Sequence, residues 1–201
     1  MRKMSNRCFV ALLLVSALAL GANANVIVDD FSANIYAWNE GEIDGDIGAI
    51  AIINGQLDIK SKHDEIALKT HCYAPINVER DFRITAYVAI DKLKDDKQVG
   101  FIFNYRDDGN FYCFSFNEYA VSFRRFENNV EVGSYHQGIK WKKKKKLEQE
   151  WTLVKEDDEL SFMVDGQEII RIRYMPLTYC GVGFYTINKQ RLTVDRIEYV
   201  Q

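Results

Sequence analysis

Turn signals recur about every ten residues from residue 25 to the end of the chain, and between them apolar residues alternate with polar ones. That pattern constrains the fold more than any other feature, because a period of two places successive side chains on opposite faces of a strand. Asn54-Gly55 separates 49–53 from 56–60, and Asp165-Gly166 separates 160–164 from 167–172. Both dipeptides suit type I′ hairpin turns, which need positive φ twice. Asp107-Asp108-Gly109 and Asn128-Asn129 mark two further turns. Strands are predicted at 26–31, 48–53, 56–62, 66–74, 81–91, 98–106, 110–117, 120–127, 130–136, 149–156, 159–164, 167–173, 180–187 and 191–200. So many antiparallel strands imply two stacked sheets, an all-β sandwich.

Composition agrees with strands. The chain carries 12 Phe, 11 Tyr and 3 Trp but only 2 Pro, and 47% of its residues are hydrophobic. Rings and β-branched residues fit a pleated, half-buried surface, and this balance excludes disorder and collagen. A helix is expected only within Lys142–Glu150, where good helix formers run together and Leu147 and Trp151 stand four apart. Alternation assigns Phe82, Ile84, Ala86, Val88 and Ile90 to the core, with Val99, Phe101, Phe103 and Tyr105, then Tyr112, Phe114 and Phe116.

Residues 1–24 read as a segment apart from the fold. Arg2, Lys3 and Arg7 precede an apolar stretch from Phe9 to Leu20, and Ala22-Asn23-Ala24 supplies an A-x-A cleavage site. This is the pattern of a secretory signal, so the expectation is a periplasmic or extracellular protein with one folded domain, 25–201. The apolar stretch is too short to span a bilayer. Without those three cations, 23 Lys and Arg remain against 29 Asp and Glu, and a net charge of −6 argues against nucleic acid. Cys72, Cys113 and Cys180 also remain; an odd count allows one disulfide at most and does not say which.

Gly100-Phe101-Ile102-Phe103-Asn104-Tyr105-Arg106-Asp107-Asp108-Gly109-Asn110-Phe111-Tyr112 is followed by Trp151-Thr152-Leu153-Val154, Phe162-Met163-Val164-Asp165-Gly166 and Gly181-Val182-Gly183-Phe184-Tyr185. This order resembles the concanavalin A-like lectin and glucanase superfamily, more narrowly the laminin-G-like and 3-keto-disaccharide hydrolase-like jelly rolls. The resemblance implies a jelly-roll sandwich that handles glycans.

Sugars present polar rims and apolar C–H faces, so their sites pair flat rings with hydrogen-bonding side chains. Trp38, Tyr87, Asn104, Arg106, Asn117 and Arg124 are the candidate ligand-binding group, on the condition that the strands carrying them are neighbours in one sheet. Trp141 and Tyr185 are further rings free to meet a ligand. Glu42-Ile43-Asp44-Gly45-Asp46 resembles the E-x-D-x-E signature of the superfamily's glucanases, but three nearby glycines point to an acidic loop. Asp29, Asp30, Asp44, Asp46 and Asp195 offer hard oxygen ligands for a structural Ca2+, without EF-hand spacing. Lys142–Lys146 form a positive stripe suited to a polyanion. No catalytic histidine motif, G-x-S-x-G or phosphate loop is present, and His71 reads as a surface or hydrogen-bonded side chain. The expectation is a non-catalytic carbohydrate-binding module with no cofactor. A glycoside hydrolase and a protein-interaction domain are the alternatives.

Overall fold

The computed structural model describes residues 24–91, 93–94, 96–139, 146–175 and 179–201. The predicted leader, Trp141 and most of the lysine run lie outside these residues. The strands are β1 (Val26–Asp29), β2 (Gly41–Ile43), β3 (Gly48–Ile52), β4 (Leu57–Ser61), β5 (Leu68–Tyr73), β6 (Phe82–Asp91), β7 (Gln98–Asp107) and β8 (Asn110–Phe116). They continue as β9 (Ala120–Glu127), β10 (Val130–Gly138), β11 (Lys146–Glu156), β12 (Glu159–Val164), β13 (Gln167–Arg173), β14 (Gly181–Ile187) and β15 (Arg191–Val200). One helical turn, α1 (Asp44–Ile47), joins β2 to β3. Among the described residues no helix is long and apolar enough to cross a membrane.

The strands form two antiparallel sheets, as alternation predicts. A nine-stranded sheet runs β13-β12-β11-β6-β15-β4-β3-β2, with β1 also on β15, and a six-stranded sheet runs β10-β9-β8-β7-β14-β5. Local turn chemistry sets the hairpins: Asn54 and Gly55, Asp165 and Gly166, and Asn128 and Asn129 all have φ between 51° and 75°, the paired positive values of a type I′ turn.

The core lies between the sheets and is clamped by rings from both. Phe116 of β8 stacks on Trp151 of β11 with centroids 4.4 Å apart, Phe114 stacks on Phe162 at 4.5 Å, and Phe82 meets Phe103 at 5.3 Å. Each such pair adds about 0.5–1.5 kcal/mol beyond its buried area. The expected core faces of β6 and β8 are buried throughout.

The structure corrects four expectations. Lys146–Glu150 belong to β11, not to a helix; Leu147 and Trp151 are four apart, an even number that also puts them on one face of a strand. The acidic segment after Gly41 is an edge strand and a helical turn, not a loop. β6 lies in the opposite sheet from β7, β8 and β9, so the condition attached to the candidate group fails. Tyr105 is buried, but on the outer face of its sheet, because Asn104 is an extra residue in β7. The pairing with β14 jumps from Val182↔Phe103 to Gly181↔Tyr105. Asn104 takes φ 52°, a left-handed value Asn tolerates, and turns inward at 0% exposure. Every side chain after it changes face.

Candidate ligand-binding face

The outer face of the six-stranded sheet is built from rows that cross the strands. Register aligns His71, Gly183, Ile102, Cys113, Arg124 and Ser134 in one row. It aligns Lys69, Tyr185, Gly100, Ser115, Ser122 and His136 in the next. A sheet face open to water ordinarily carries polar residues. Here Ile102, Tyr105, Cys113 and Tyr185 form a second buried cluster, with Phe111 and Ile187 packed against it.

Across this cluster runs a strip of rings. His71 lies on Tyr105 with centroids 4.0 Å apart, Tyr105 meets Phe111 at 6.1 Å, and Phe111 stacks on Phe126 at 4.8 Å and 25°. Cations flank it: Lys69 Nζ stands 5.5 Å from the Phe111 centroid, and the Arg124 guanidinium 5.9 Å from that of Phe126. At one end Asp108 accepts hydrogen bonds from Lys69 Nζ at 2.5 Å and from the Tyr105 hydroxyl at 3.1 Å. Asn39 Nδ2 approaches His71 Nδ1 at 3.5 Å.

The electrostatics keep the strip largely uncharged. The Lys69 hydrogen bond holds Asp108 below the usual carboxylate range, and burial together with Asp108 pushes the Tyr105 phenol up to about 12. Burial outweighs Asp108 at His71 and pulls its imidazole below 6.5, so the ring is neutral at pH 7. Flat apolar surface edged by hydroxyl, imidazole, guanidinium and carboxylate can cover a C–H face while bonding to its polar rim.

The six sequence-predicted residues scatter. Trp38 is 2% exposed; its Nε1 donates to Asp29 Oδ2 at 2.8 Å and its ring stacks on Phe184 at 5.9 Å, so it is core. Asn104 lies inside the sandwich, its Nδ2 donating to the Tyr174 hydroxyl at 3.4 Å. Asn117 builds the β8–β9 turn, where its Oδ1 accepts the amides of Tyr119 at 2.9 Å and Ala120 at 2.8 Å. Arg106 is exposed past the bulge, donating to Asp107 at 2.7 Å and lying 5.5 Å from the Tyr179 ring. Tyr87 sits on the other sheet under Arg196, 3.8 Å from its centroid, beside a cleft of about 370 Å³ that Gln56, Glu148 and Asp195 also line. Of the six, Arg124 is the one on the strip. Tyr185 is 7% exposed, not free for a ligand.

Sequence reasoning missed His71, Tyr105, Phe111 and Phe126. Phe111 shares parity with Cys113 and Ser115, and Phe126 with Ser122 and Arg124, so those two were readable from the period of two. Tyr105 was not, because the bulge inverts its face.

Among the described residues no group of three or more His, Cys, Asp or Glu could hold a metal ion. Asp29 accepts from Trp38 and from the Phe31 amide, and Asp195 accepts from Gln56 Nε2 at 3.1 Å. Cys72, Cys113 and Cys180 are all free thiols.

No family model matches the chain, and no curated protein matches its sequence. Solved structures do match. The structure described as "Prominent members of the human gut microbiota express endo-acting O-glycanases to initiate mucin breakdown" superposes with a TM-score of 0.62 at 13% identity, covering 88% of this chain and 99% of that one. The carbohydrate recognition domain of Emp47p gives 0.61 at 11%, covering 81% and 87%. The Bacillus licheniformis β-glucanase gives 0.59 at 10%, covering 87% and 97%. Identities this low speak to fold alone. With its two antiparallel sheets and these neighbours, the chain is a β-sandwich of the concanavalin A-like jelly-roll fold.

Proposed function

We propose that the protein is an exported carbohydrate-binding module whose ligand lies on the outer face of the six-stranded sheet. The observation that carries this reading is the strip His71, Tyr105, Phe111 and Phe126, rings in contact one with the next on the outer face of the sheet and flanked by Lys69, Asp108 and Arg124. An apolar patch on a sheet's outer face marks a binding surface. The similar folds named above, a recognition domain, a glucanase and a glycanase structure, support a sugar as the class of ligand. Binding rather than hydrolysis is favoured by the two central rows, whose side chains between β5 and β10 include no carboxylate. Retaining hydrolysis needs two carboxyl groups about 5–5.5 Å apart. Export rests on the leader pattern of residues 1–24, and N-terminal sequencing of the mature protein checks it.

The test is a glycan array followed by calorimetry on the hits. Replacing Phe126 or Phe111 by Ala is expected to weaken binding at least about fivefold, the worth of roughly 1 kcal/mol of ring contact. An array without hits, or affinities indifferent to both truncations, refutes the reading.

A further inference from the structure

We propose that β10 pairs with β10 of a second copy of this chain, antiparallel about a two-fold axis at Ser134, so that two six-stranded sheets join into one. This contact lies at the edge of the sheet and does not depend on the ligand.

An unpaired sheet edge presents free N–H and C=O groups to other chains, and folds ordinarily guard it by shortness, charge or a covering segment. The other edges of this sandwich are guarded in those ways. β1 and β2 have four and three residues. β13 carries Glu168, Arg171 and Arg173, with Arg171 paired to Glu159 and Glu168. Along β5 the Asn39 carbonyl accepts from Thr70 Oγ1 at 3.0 Å, and the Asn39 side chain reaches His71. β10 is long by contrast: nine residues, with Glu131 as its one carboxylate and no Lys, Arg or Pro. Among the described residues β9 is its one sheet neighbour.

The inner side of β10 is also uncovered. Register sets Val130 beside Glu127 and Tyr135 beside the core residue Phe123, yet no β10 residue joins either buried cluster. Val130, Val132 and Tyr135 are 59%, 50% and 46% exposed. Apolar side chains along an open edge are what a pairing strand would cover.

The hydrogen-bond phase of β10 selects a copy of itself. The Ile139 amide donates to the Tyr119 carbonyl at 2.7 Å, and alternation then turns the backbone groups of Gln137, Tyr135 and Gly133 toward β9. Those of Ser134 and His136 point to the open edge, as do those of Glu131 beyond the bulged Val132. An antiparallel copy that bonds Ser134 to its counterpart takes up all of these groups. Tyr135 then meets Gly133 of the second copy and, with Val132 passed over, His136 meets Glu131. Faces agree at each rung: Tyr135 and Gly133 lie on the inner side, opposite Phe123 and Arg125, while His136 and Glu131 lie on the outer side, opposite Ser122 and Phe126. A ring over a glycine and an imidazole beside a carboxylate are favourable cross-strand pairs, and two-fold symmetry makes each occur twice.

Sedimentation of the purified protein tests the pairing, and a dimer that dissociates on dilution is expected. Ser134→Pro removes an N–H that faces the open edge, which an edge strand tolerates. It should weaken the dimer at least about tenfold, with an unchanged far-UV spectrum confirming the fold. A second variant reads the register. A hydrogen-bonded antiparallel pair sets its Cα atoms about 5.5 Å apart, within disulfide reach. Ser134→Cys should therefore form an interchain disulfide under mild oxidation, whereas His136→Cys, whose counterpart lies several residues along the strand, should not. A monomer at the highest concentration reached, a dimer untouched by Ser134→Pro, or a dimer in which Ser134→Cys does not cross-link overturns the proposal.

Discussion

The ring of Tyr185 lies directly over Gly100 on the neighbouring strand, so closely that a β-carbon at Gly100 would stand 1.9 Å from Cε1 of the tyrosine. Gly100 is therefore a contact requirement, not a flexible point: the missing side chain is the space the ring occupies. Gly100→Ala should force Tyr185 off its position and destabilise the protein by about 1–3 kcal/mol, as overpacking does. Urea unfolding measures this. The cost should shrink when Tyr185 is first replaced by Leu, and equal costs in both backgrounds would show that the two residues are not coupled.

Asn104 is buried with φ 52°. A β-branched residue is poorly suited to that backbone region, whereas glycine adopts it freely. Asn104→Gly should cost about 1 kcal/mol through the lost Tyr174 contact, and Asn104→Val distinctly more, in chemical denaturation. The reverse order would mean that the bulge is not what places Tyr105.

Trp38 donates to Asp29, whose carboxyl is raised above 3.8 by burial and drawn back by the Trp38 and Phe31 hydrogen bonds. A raised carboxyl is neutral with respect to stability below 3.8 and lowers stability as pH climbs through the folded value. Trp38→Phe removes a donor and raises that value further. Its penalty, about 1–3 kcal/mol for an unpartnered buried acceptor, should therefore be larger at pH 7 than at pH 3. Melts at the two pH values decide, and a pH-independent penalty counts against the pairing.

His71 is shifted the other way by burial, below the 6.5 of an unfolded chain. As pH falls beneath 6.5 the unfolded state takes up a proton that the folded ring resists, and stability declines until the folded value is passed. His71→Phe should abolish that part of the acid sensitivity. Followed from pH 7.5 to 4.5, the wild-type midpoint should fall more steeply than that of the variant, and parallel curves would show that His71 is not the group responsible.

Burial raises the Cys72 thiol to about 12 and the Cys113 thiol to about 11. At pH 8 neither supplies thiolate, so both should stay unmodified by iodoacetamide in the folded protein and react once it is unfolded. Peptide mass mapping reads the result.

Strand positions were legible in this chain because alternation and turn chemistry are local: Asn54-Gly55 and Asp165-Gly166 form hairpins whatever surrounds them. What local patterning does not carry is which sheet a strand joins. β6 alternates like β7, yet pairs with β11, where Tyr87 faces Glu150, and with β15, where it faces Arg196, 109 positions further along the chain, and so Tyr87 faces away from Arg124. The strip was half readable. Phe111 and Phe126 follow parity, whereas Asn104, written as one more polar residue in an alternating segment, conceals a change of face. Lys146–Glu150 misled for a simpler reason, since a spacing of four satisfies both a helix and a strand.

The ring strip takes its members one strand at a time, from β5, β7, β8 and β9, with β14 between the first two. Strand separation, about 4.8 Å, therefore acts as a ruler: five adjacent strands set a reach of about 19 Å, measured perpendicular to the chain direction. Backbone hydrogen bonds, not side-chain mobility, hold that spacing. A molecule laid along the strip lies across the grain of the sheet, and lengthening it past β9 brings it against β10, where Glu131 is the register partner of Phe126. The sheet's width thus sets the number of ligand units that can be read.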